Sequence, residues 1–210
     1  MKSFLTVAVM LIATSFAHAD LIITEFLADA LAVGDAEGEY FELFNSGATA
    51  IDVGSLTIGD DGSDSLNLTS FAGVFINPGA FVVFGNEPNP PATHVDVDYS
   101  TVGSFFLSNG ADEIVVTDTA TGTQLARVDY FDGDTFGDGI ANVLNNTANA
   151  VGGVTQASDY IAEVAANNTL TNGDTGSPGI AGSTVIGIPE PSTGLVLGLV
   201  AGFGMIRRKR

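Results

Sequence analysis

The sequence has no cysteine and no tryptophan, and between Asp20 and Ile188 it has no lysine and a single histidine, His94. The absence of cysteine excludes a disulfide framework and a cysteine nucleophile. The absence of lysine and the lone histidine exclude a Schiff-base lysine and a multi-histidine zinc site. No G-x-S-x-G motif supports a Ser-His-Asp triad that would use His94. We therefore expect a protein that is not an enzyme.

Positive charge is almost confined to the two ends of the chain. Between Asp20 and Ile188 there are 24 acidic residues and one basic residue, Arg127, which gives a formal net charge of −23. Such a segment repels nucleic acid and anionic lipid headgroups, so both are excluded as partners. It attracts divalent cations or basic proteins. The alternative is that the negative charge keeps the protein soluble and has no specific partner. The segment is long enough to form one packed domain.

The N-terminus has the three parts of a secretory signal peptide. Lys2 supplies the positive charge, residues 4–12 are apolar, and Ala17 and Ala19 form the small-x-small cleavage site. The apolar run is too short for a stable membrane anchor. The pattern predicts a signal peptide over residues 1–19, which signal peptidase removes between Ala19 and Asp20.

The C-terminus has a triplet, an apolar stretch and a basic end, in that order. The triplet is Pro189, Glu190 and Pro191; residues 192–206 carry no charge. The basic end consists of Arg207, Arg208, Lys209 and Arg210. Basic residues beside an apolar segment stay in the cytoplasm, which places the preceding domain outside. Proline keeps the triplet extended and accessible.

This C-terminal segment, residues 188–210, resembles the PEP-CTERM sorting signal of exported proteins of Gram-negative bacteria. The resemblance implies that a membrane-embedded exosortase recognises Pro189, Glu190 and Pro191 and cleaves nearby. The short apolar stretch would then be a transmembrane helix only before processing. An ordinary tail anchor is the alternative, but 15 residues fall short of the ~20 that a permanent span needs.

The region between the two ends has the pattern of an all-β protein. Short β-branched and aromatic runs are separated by Gly, Asp and Asn turns, which is typical of a sandwich or barrel. No segment shows a helical period with caps. We predict strands over residues 21–26, 39–44, 49–53, 55–58, 75–76, 81–84, 104–107, 113–117 and 124–130. Residues 118–122 are expected to form a hairpin turn, residues 20–182 the domain, and residues 183–187 a linker.

Several segments of this domain resemble the lamin-tail domain. They are the first strand with Glu25, the segment G-E-Y-F-E-L-F-N (38–45), I-D-V (51–53), I-N-P-G-A-F-V-V-F-G (76–85), L-S-N-G-A-D-E-I-V-V-T-D (107–118) and N-G-D-T-G-S-P-G (172–179). The resemblance implies an immunoglobulin-like β-sandwich that serves as a recognition or structural module. Two features depart from it: the tryptophan that usually follows at about residue 55 is missing, and residues 132–170 are weakly patterned.

Two glycine-spaced acidic loops are candidate Ca²⁺ sites. Asp132, Asp134 and Asp138 lie in one loop. This loop is a candidate because flexible turns that carry hard oxygen ligands suit Ca²⁺. The EF-hand pattern is not met, and a plain solvated turn is the alternative. A weaker second cluster consists of Asp60, Asp61 and Asp64. No other cofactor is expected.

Three glutamates and the one arginine need separate interpretations. Glu25, Glu39 and Glu42 suggest a paired-carboxylate hydrolase, but Glu39 and Glu42 would point to opposite faces of a strand. We expect these glutamates to anchor loops or a sheet edge. Arg127 is expected to lie on a strand face and to form an ion pair, with one of those glutamates as a candidate partner.

These observations predict an exported, non-catalytic surface or extracellular-matrix protein of a Gram-negative-type bacterium, held in the membrane only transiently by its C-terminus. The PEP-CTERM resemblance implies an association with biofilm, through exopolysaccharide or surface proteins. A Ca²⁺-dependent protein- or glycan-binding module is the alternative, and a hydrolase is the third.

Overall fold

The computed structural model describes residues 21–86, 95–103, 105–131, 137–145, 150, 153–163, 170 and 173–180. The signal peptide with its cleavage site at Ala19 and Asp20 lies outside the described residues. So do the linker, the triplet Pro189–Pro191, the apolar stretch and the basic end Arg207–Arg210. Those assignments therefore stay predictions. Within the described ranges, no helix has the length and apolar character needed to cross a membrane.

The described residues contain thirteen strands and one four-residue helix, α1 (Asp35–Gly38). The strands are β1 (Leu21–Leu27), β2 (Tyr40–Asn45), β3 (Ile51–Asp52), β4 (Leu56–Gly59), β5 (Ser65–Asn67), β6 (Phe75–Ile76), β7 (Phe81–Gly85), β8 (Val97–Asp98), β9 (Asp112–Asp118), β10 (Gln124–Tyr130), β11 (Asn142–Leu144), β12 (Val154–Gln156) and β13 (Tyr160–Ala162).

The strands form two sheets and a two-stranded ribbon. The six-stranded sheet has the order β13-β11-β1-β2-β7-β8, and the five-stranded sheet has the order β12-β10-β9-β4-β5. The ribbon pairs β3 with β6. Most neighbours are antiparallel, while β10–β12 and β7–β8 are parallel.

The core lies between the two sheets. Strands β9 and β10 alternate buried and more exposed residues, so that Val116 and Val128 face inward. From the six-stranded sheet, Phe26 stacks on Tyr130 of the other sheet with ring centroids 5.1 Å apart. Burial of each such side chain contributes about 1.5–3 kcal/mol. This two-layer packing confirms the all-β sandwich that the sequence predicts.

One predicted strand is wrong, and five strands were missed: β5, β8, β11, β12 and β13. Residues 105–107 are not a strand: Phe105 packs edge-on against Phe41 and Tyr99 in the core. The N–H of Leu107 donates to the Glu39 carboxylate at 2.9 Å and not to a neighbouring strand. The weakly patterned region 132–170 contributes β11, β12 and β13, each only three residues long.

Candidate functional site: buried glutamates beneath the C-terminal strap

Strands β1 and β2 are buried on both faces, which is unusual for an antiparallel sandwich sheet. All seven residues of β1 and all six of β2 are buried. One face packs on the core, and the opposite face would normally meet water. Residues 173–180, which we call the C-terminal strap, contact the side chains of that face. Polar side chains that alternation places on the outer face are therefore enclosed by protein.

The first half of the C-terminal strap is fixed by two loops. The Asp174 carboxylate accepts hydrogen bonds from the N–H groups of Leu31 (3.2 Å) and Ala32 (3.0 Å). The N–H of Thr175 donates to the carbonyl of Gly139 at 2.7 Å, and its carbonyl accepts from the N–H of Ala141 at 2.8 Å. These contacts join the strap to the loop that follows β1 and to the loop that precedes β11.

The second half of the strap is held by Glu25, which is 1% exposed. Oε1 of Glu25 accepts from the N–H of Ser177 at 2.7 Å and from the hydroxyl of Tyr40 at 2.5 Å. Oε2 of Glu25 lies 2.5 Å from the Ser177 hydroxyl. At Gly176 an added Cβ would collide with Tyr40 Oη and approach Glu25 Oε1 to 2.8 Å, so the strap needs glycine there.

Glu42, also 1% exposed, holds the end of the strap. Oε2 of Glu42 accepts from the N–H of Gly179 at 2.6 Å, and Oε1 lies 2.5 Å from the hydroxyl of Thr24. Glu25 and Glu42 are register partners across β1 and β2, where the ladder shifts between Ile23 and Glu25. The two carboxyls that hold the strap are therefore neighbours on one face.

Burial and mutual repulsion change the protonation of this pair. Desolvation, followed by the charge of Glu25, raises the pKa of Glu42 to about 8. Desolvation also raises the pKa of Glu25, although hydrogen bonds from Ser177 and Tyr40 oppose it. The pKa of Tyr40 is raised well above its usual value, chiefly by burial and then by Glu25. At neutral pH the pair thus retains a proton.

The geometry does not suit a hydrolase. A paired-carboxylate enzyme needs two carboxyls about 5–9.5 Å apart that face a substrate cleft. Here the carboxyl oxygens of Glu25 and Glu42 are bonded to the protein's own backbone and hydroxyls, and both are enclosed. Glu39 lies apart from them, with the N–H of Leu107 as its partner. The prediction that the three glutamates anchor loops is confirmed.

Arg127 has a different partner from the one suggested by the sequence. Its Nη1 and Nη2 donate to the two carboxylate oxygens of Asp61 at 2.8 and 2.7 Å, and its Nε donates to Asp129 at 2.6 Å. The expectation of a glutamate partner is wrong, because Arg127 lies on β10 while Glu25 and Glu42 lie on the other sheet. The hydrogen bond from Arg127 lowers the pKa of Asp61.

The acidic loops hold no metal centre among the described residues. In the second cluster, Asp61 binds Arg127, and Oδ1 of Asp60 accepts from the N–H groups of Gly62 (2.8 Å) and Asp64 (3.0 Å). Asp132 and Asp134 lie outside the described residues, and Asp138 is exposed. No group of three or more acidic, histidine or cysteine side chains that could hold a metal occurs in the described ranges. The Ca²⁺ assignment to Asp132, Asp134 and Asp138 stays a prediction.

Sequence reasoning found the glutamates but missed their partners. Ser177, Gly176 and Asp174 belong to a short glycine-rich segment, which by itself is typical of any loop. A usable signal was the placement of Glu25 and Glu42 inside aromatic strands with no base nearby in the sequence. Carboxyls in such a setting need hydrogen-bond donors, and their backbone N–H donors come from a distant segment.

Two comparisons with known proteins bear on this arrangement. A family model described as Lamin Tail Domain matches residues 14–132, more than half of the chain. The matched range includes Glu25, Glu39 and Glu42 together with β1 to β10, and it ends before the C-terminal strap. No curated protein matches the sequence.

Proposed function

This chain belongs to the lamin tail domain family, and we propose that it is a non-catalytic surface or extracellular-matrix protein of a Gram-negative-type bacterium. In this proposal a signal peptide over residues 1–19 directs export. An exosortase-type enzyme then recognises Pro189, Glu190 and Pro191 and processes the C-terminus. The mature domain acts as a structural component in contact with exopolysaccharide or other surface proteins.

The observation that carries the proposal is the ordered C-terminal segment: triplet, uncharged stretch, basic end. The described part of the domain is compatible with it. Ile180, the last described residue of the strap, is 57% exposed and therefore lies at the surface of the domain. Eight residues separate Ile180 from Pro189, so the two residues can lie about 30 Å apart at most. Before processing, the domain would therefore sit close to the membrane.

The non-catalytic part of the proposal rests on the buried glutamates. Their oxygens hold the C-terminal strap, so these two carboxyls with raised pKa values have a positioning role. Perturbed pKa values often mark active sites, but structural networks also produce them. Glu25 and Glu42 are enclosed by the protein's own backbone, which favours a structural role for them.

The test is the fate of the full chain in a host with an exosortase. The triple variant Pro189→Ala, Glu190→Ala, Pro191→Ala should stay in the membrane fraction with an intact C-terminus. The matched control, Ser183→Ala, Thr184→Ala, Val185→Ala in the linker, should be processed like the wild type. Intact mass of the recovered protein reports both ends. Normal C-terminal processing of the triplet variant, or retention of residues 1–19 in the wild type, would overturn the proposal.

A further inference from the structure

The C-terminal strap is closed onto the sheet by two neighbouring carboxyls. Ser177 bonds Glu25 through its N–H and hydroxyl, and Gly179 bonds Glu42 through its N–H. The two glutamates face each other across β1 and β2. The last contacts that the described chain makes before residue 181 therefore depend on a single pair of acidic groups.

The groups that face this pair are acidic or neutral. Glu163, 2% exposed, acts on Glu25, and Asp96 acts on Glu42. The hydroxyls of Tyr40 and Thr24 complete the surroundings on β2 and β1. Arg127, the one arginine of the described residues, binds Asp61 and Asp129 on the other sheet. Ionisation of both glutamates thus places like charges together in a buried site, and no described residue supplies a compensating cation there.

Lifting the strap is the local change that would relieve this repulsion. It opens the outer face of β1 and β2 to water, while the core between the sheets stays packed. We propose that Glu25 and Glu42 form a proton-controlled clasp, which holds the C-terminal strap while the pair is protonated and releases it when both carboxyls ionise.

The sign of the pH dependence follows from the two states. In the closed state the pKa of Glu42 is about 8 and that of Glu25 is raised, whereas in the open state both approach the ordinary value of about 4.5. Opening therefore releases protons to water and is favoured as pH rises. The opening equilibrium increases between about pH 4.5 and pH 8 and levels off above pH 8.

Release of the strap would lengthen the connection to the sorting triplet; this consequence rests on the proposed function. The eight residues 173–180 add about 27 Å when extended. A processing enzyme at the membrane would then meet Pro189 on a longer tether at alkaline pH than at acidic pH. The clasp itself is independent of sorting and is tested without it.

The test is hydrogen exchange of the full-length chain in detergent micelles between pH 5 and pH 9. The amides of Ser177 and Gly179 are followed, with rates corrected for intrinsic exchange. Their protection should fall at least about tenfold from pH 5 to pH 8 and change little from pH 8 to pH 9. Amides of β9, on the other sheet, should stay better protected than those of the strap at every pH, because they exchange only through global unfolding.

Two variants separate the clasp from general effects of charge. In the double variant Glu25→Gln, Glu42→Gln the pair cannot ionise. The hydrogen-exchange protection of the strap should therefore no longer depend on pH. Glu37→Gln removes one exposed carboxylate and should retain the wild-type pH dependence. Constant protection in the wild type over the whole range, or an unchanged fall in the double variant, would overturn the clasp. The wild-type profile decides the question even if the double variant does not fold.

Discussion

Glu25 and Glu42 are register partners on β1 and β2, and each accepts a hydrogen bond from a backbone N–H of the C-terminal strap. In a sandwich, the outer face of an antiparallel sheet is usually solvated, and glutamates there need no protein partner. The strap changes that environment because it covers both carboxyls. Two ordinary surface residues thereby become buried groups with raised pKa values.

The stability of the domain should decrease as pH rises from about 4.5 to about 8. The folded-state pKa values of Glu42 and Glu25 lie above their unfolded values, so the folded state binds more protons in this window. Each pKa unit corresponds to about 1.4 kcal/mol, so the free energy of unfolding should fall by an amount on the order of a few kcal/mol. Urea unfolding at pH 5, 6, 7 and 8 measures it.

Replacement of the titrating group should flatten this profile. Glu42→Gln keeps a hydrogen-bonding side chain at that position but cannot ionise, so its unfolding free energy should vary less with pH than that of the wild type. Glu37→Gln, at an exposed position, serves as the control for the general effect of one fewer negative charge. Equal pH profiles for Glu42→Gln and the wild type would contradict the role of Glu42.

Gly176→Ala should destabilise the protein by about 1–3 kcal/mol, as expected for overpacking of a well-packed site. The new methyl group would collide with Tyr40 Oη and Glu25 Oε1, so the strap must move away from the sheet. Thermal unfolding measures the loss, and hydrogen exchange at Ser177 locates it.

Gly122→Ala is the matched control for that substitution. Gly122 has a φ of 68° and open space around it, so alanine there costs about 1–2 kcal/mol through backbone strain alone. It should lower stability without exposing the strap. Similar exchange at Ser177 in both variants would show that Gly176 has no special contact with the glutamates.

Arg127→Ala should lower the unfolding midpoint modestly at low salt, because it leaves Asp61 and Asp129 without their shared cation. The difference from the wild type should shrink at high salt, where the ion pair is screened. Arg127→Lys keeps the charge and loses the bidentate contact with Asp61. Its unfolding midpoint should therefore lie between those of the wild type and Arg127→Ala. An unchanged midpoint for Arg127→Ala at low salt would show that the ion pair contributes nothing.

Asp60→Asn should leave any response of the protein to Ca²⁺ unchanged. Oδ1 of Asp60 already accepts two backbone N–H groups, and Asp61 is bound to Arg127. Melting curves with and without Ca²⁺ measure the response. A Ca²⁺-induced rise in melting temperature that disappears in Asp60→Asn would place a Ca²⁺ site in this loop. It would contradict the assignment of the Asp60 carboxylate to hydrogen bonds within the turn.

The sequence predicted the longer strands because their local patterns suffice. β1, β2, β7, β9 and β10 lie within one or two residues of their predicted bounds, and the turn between β9 and β10 is confirmed. β11, β12 and β13 have three residues each, which is too few for periodicity to appear. Their place is determined by pairing of β11 with β1, of β12 with β10 and of β13 with β11, which no local pattern encodes.

The candidate site was predictable only in part, for a related reason. The glutamates stand out because they interrupt aromatic strands, and alternation correctly predicts that Glu39 and Glu42 do not share a site. The contact between Glu25 and Ser177 spans 152 residues of sequence. The partner of Arg127 depends on a loop that folds across the outer face of β9 and β10, as the contact of the Asp61 N–H with Glu113 shows. Such long-range contacts are consequences of the packed fold and leave no local signal.

The most direct test of the central claim is the titration of Glu42 itself. The carboxyl carbon of Glu42, assigned by comparison with Glu42→Gln, can be followed by ¹³C NMR from pH 4 to pH 10. We expect a midpoint near 8, because the carboxyl is enclosed by the C-terminal strap beside Glu25. A midpoint near the ordinary value of about 4.5 would contradict it, since a carboxyl that titrates there is open to water and holds no buried strap.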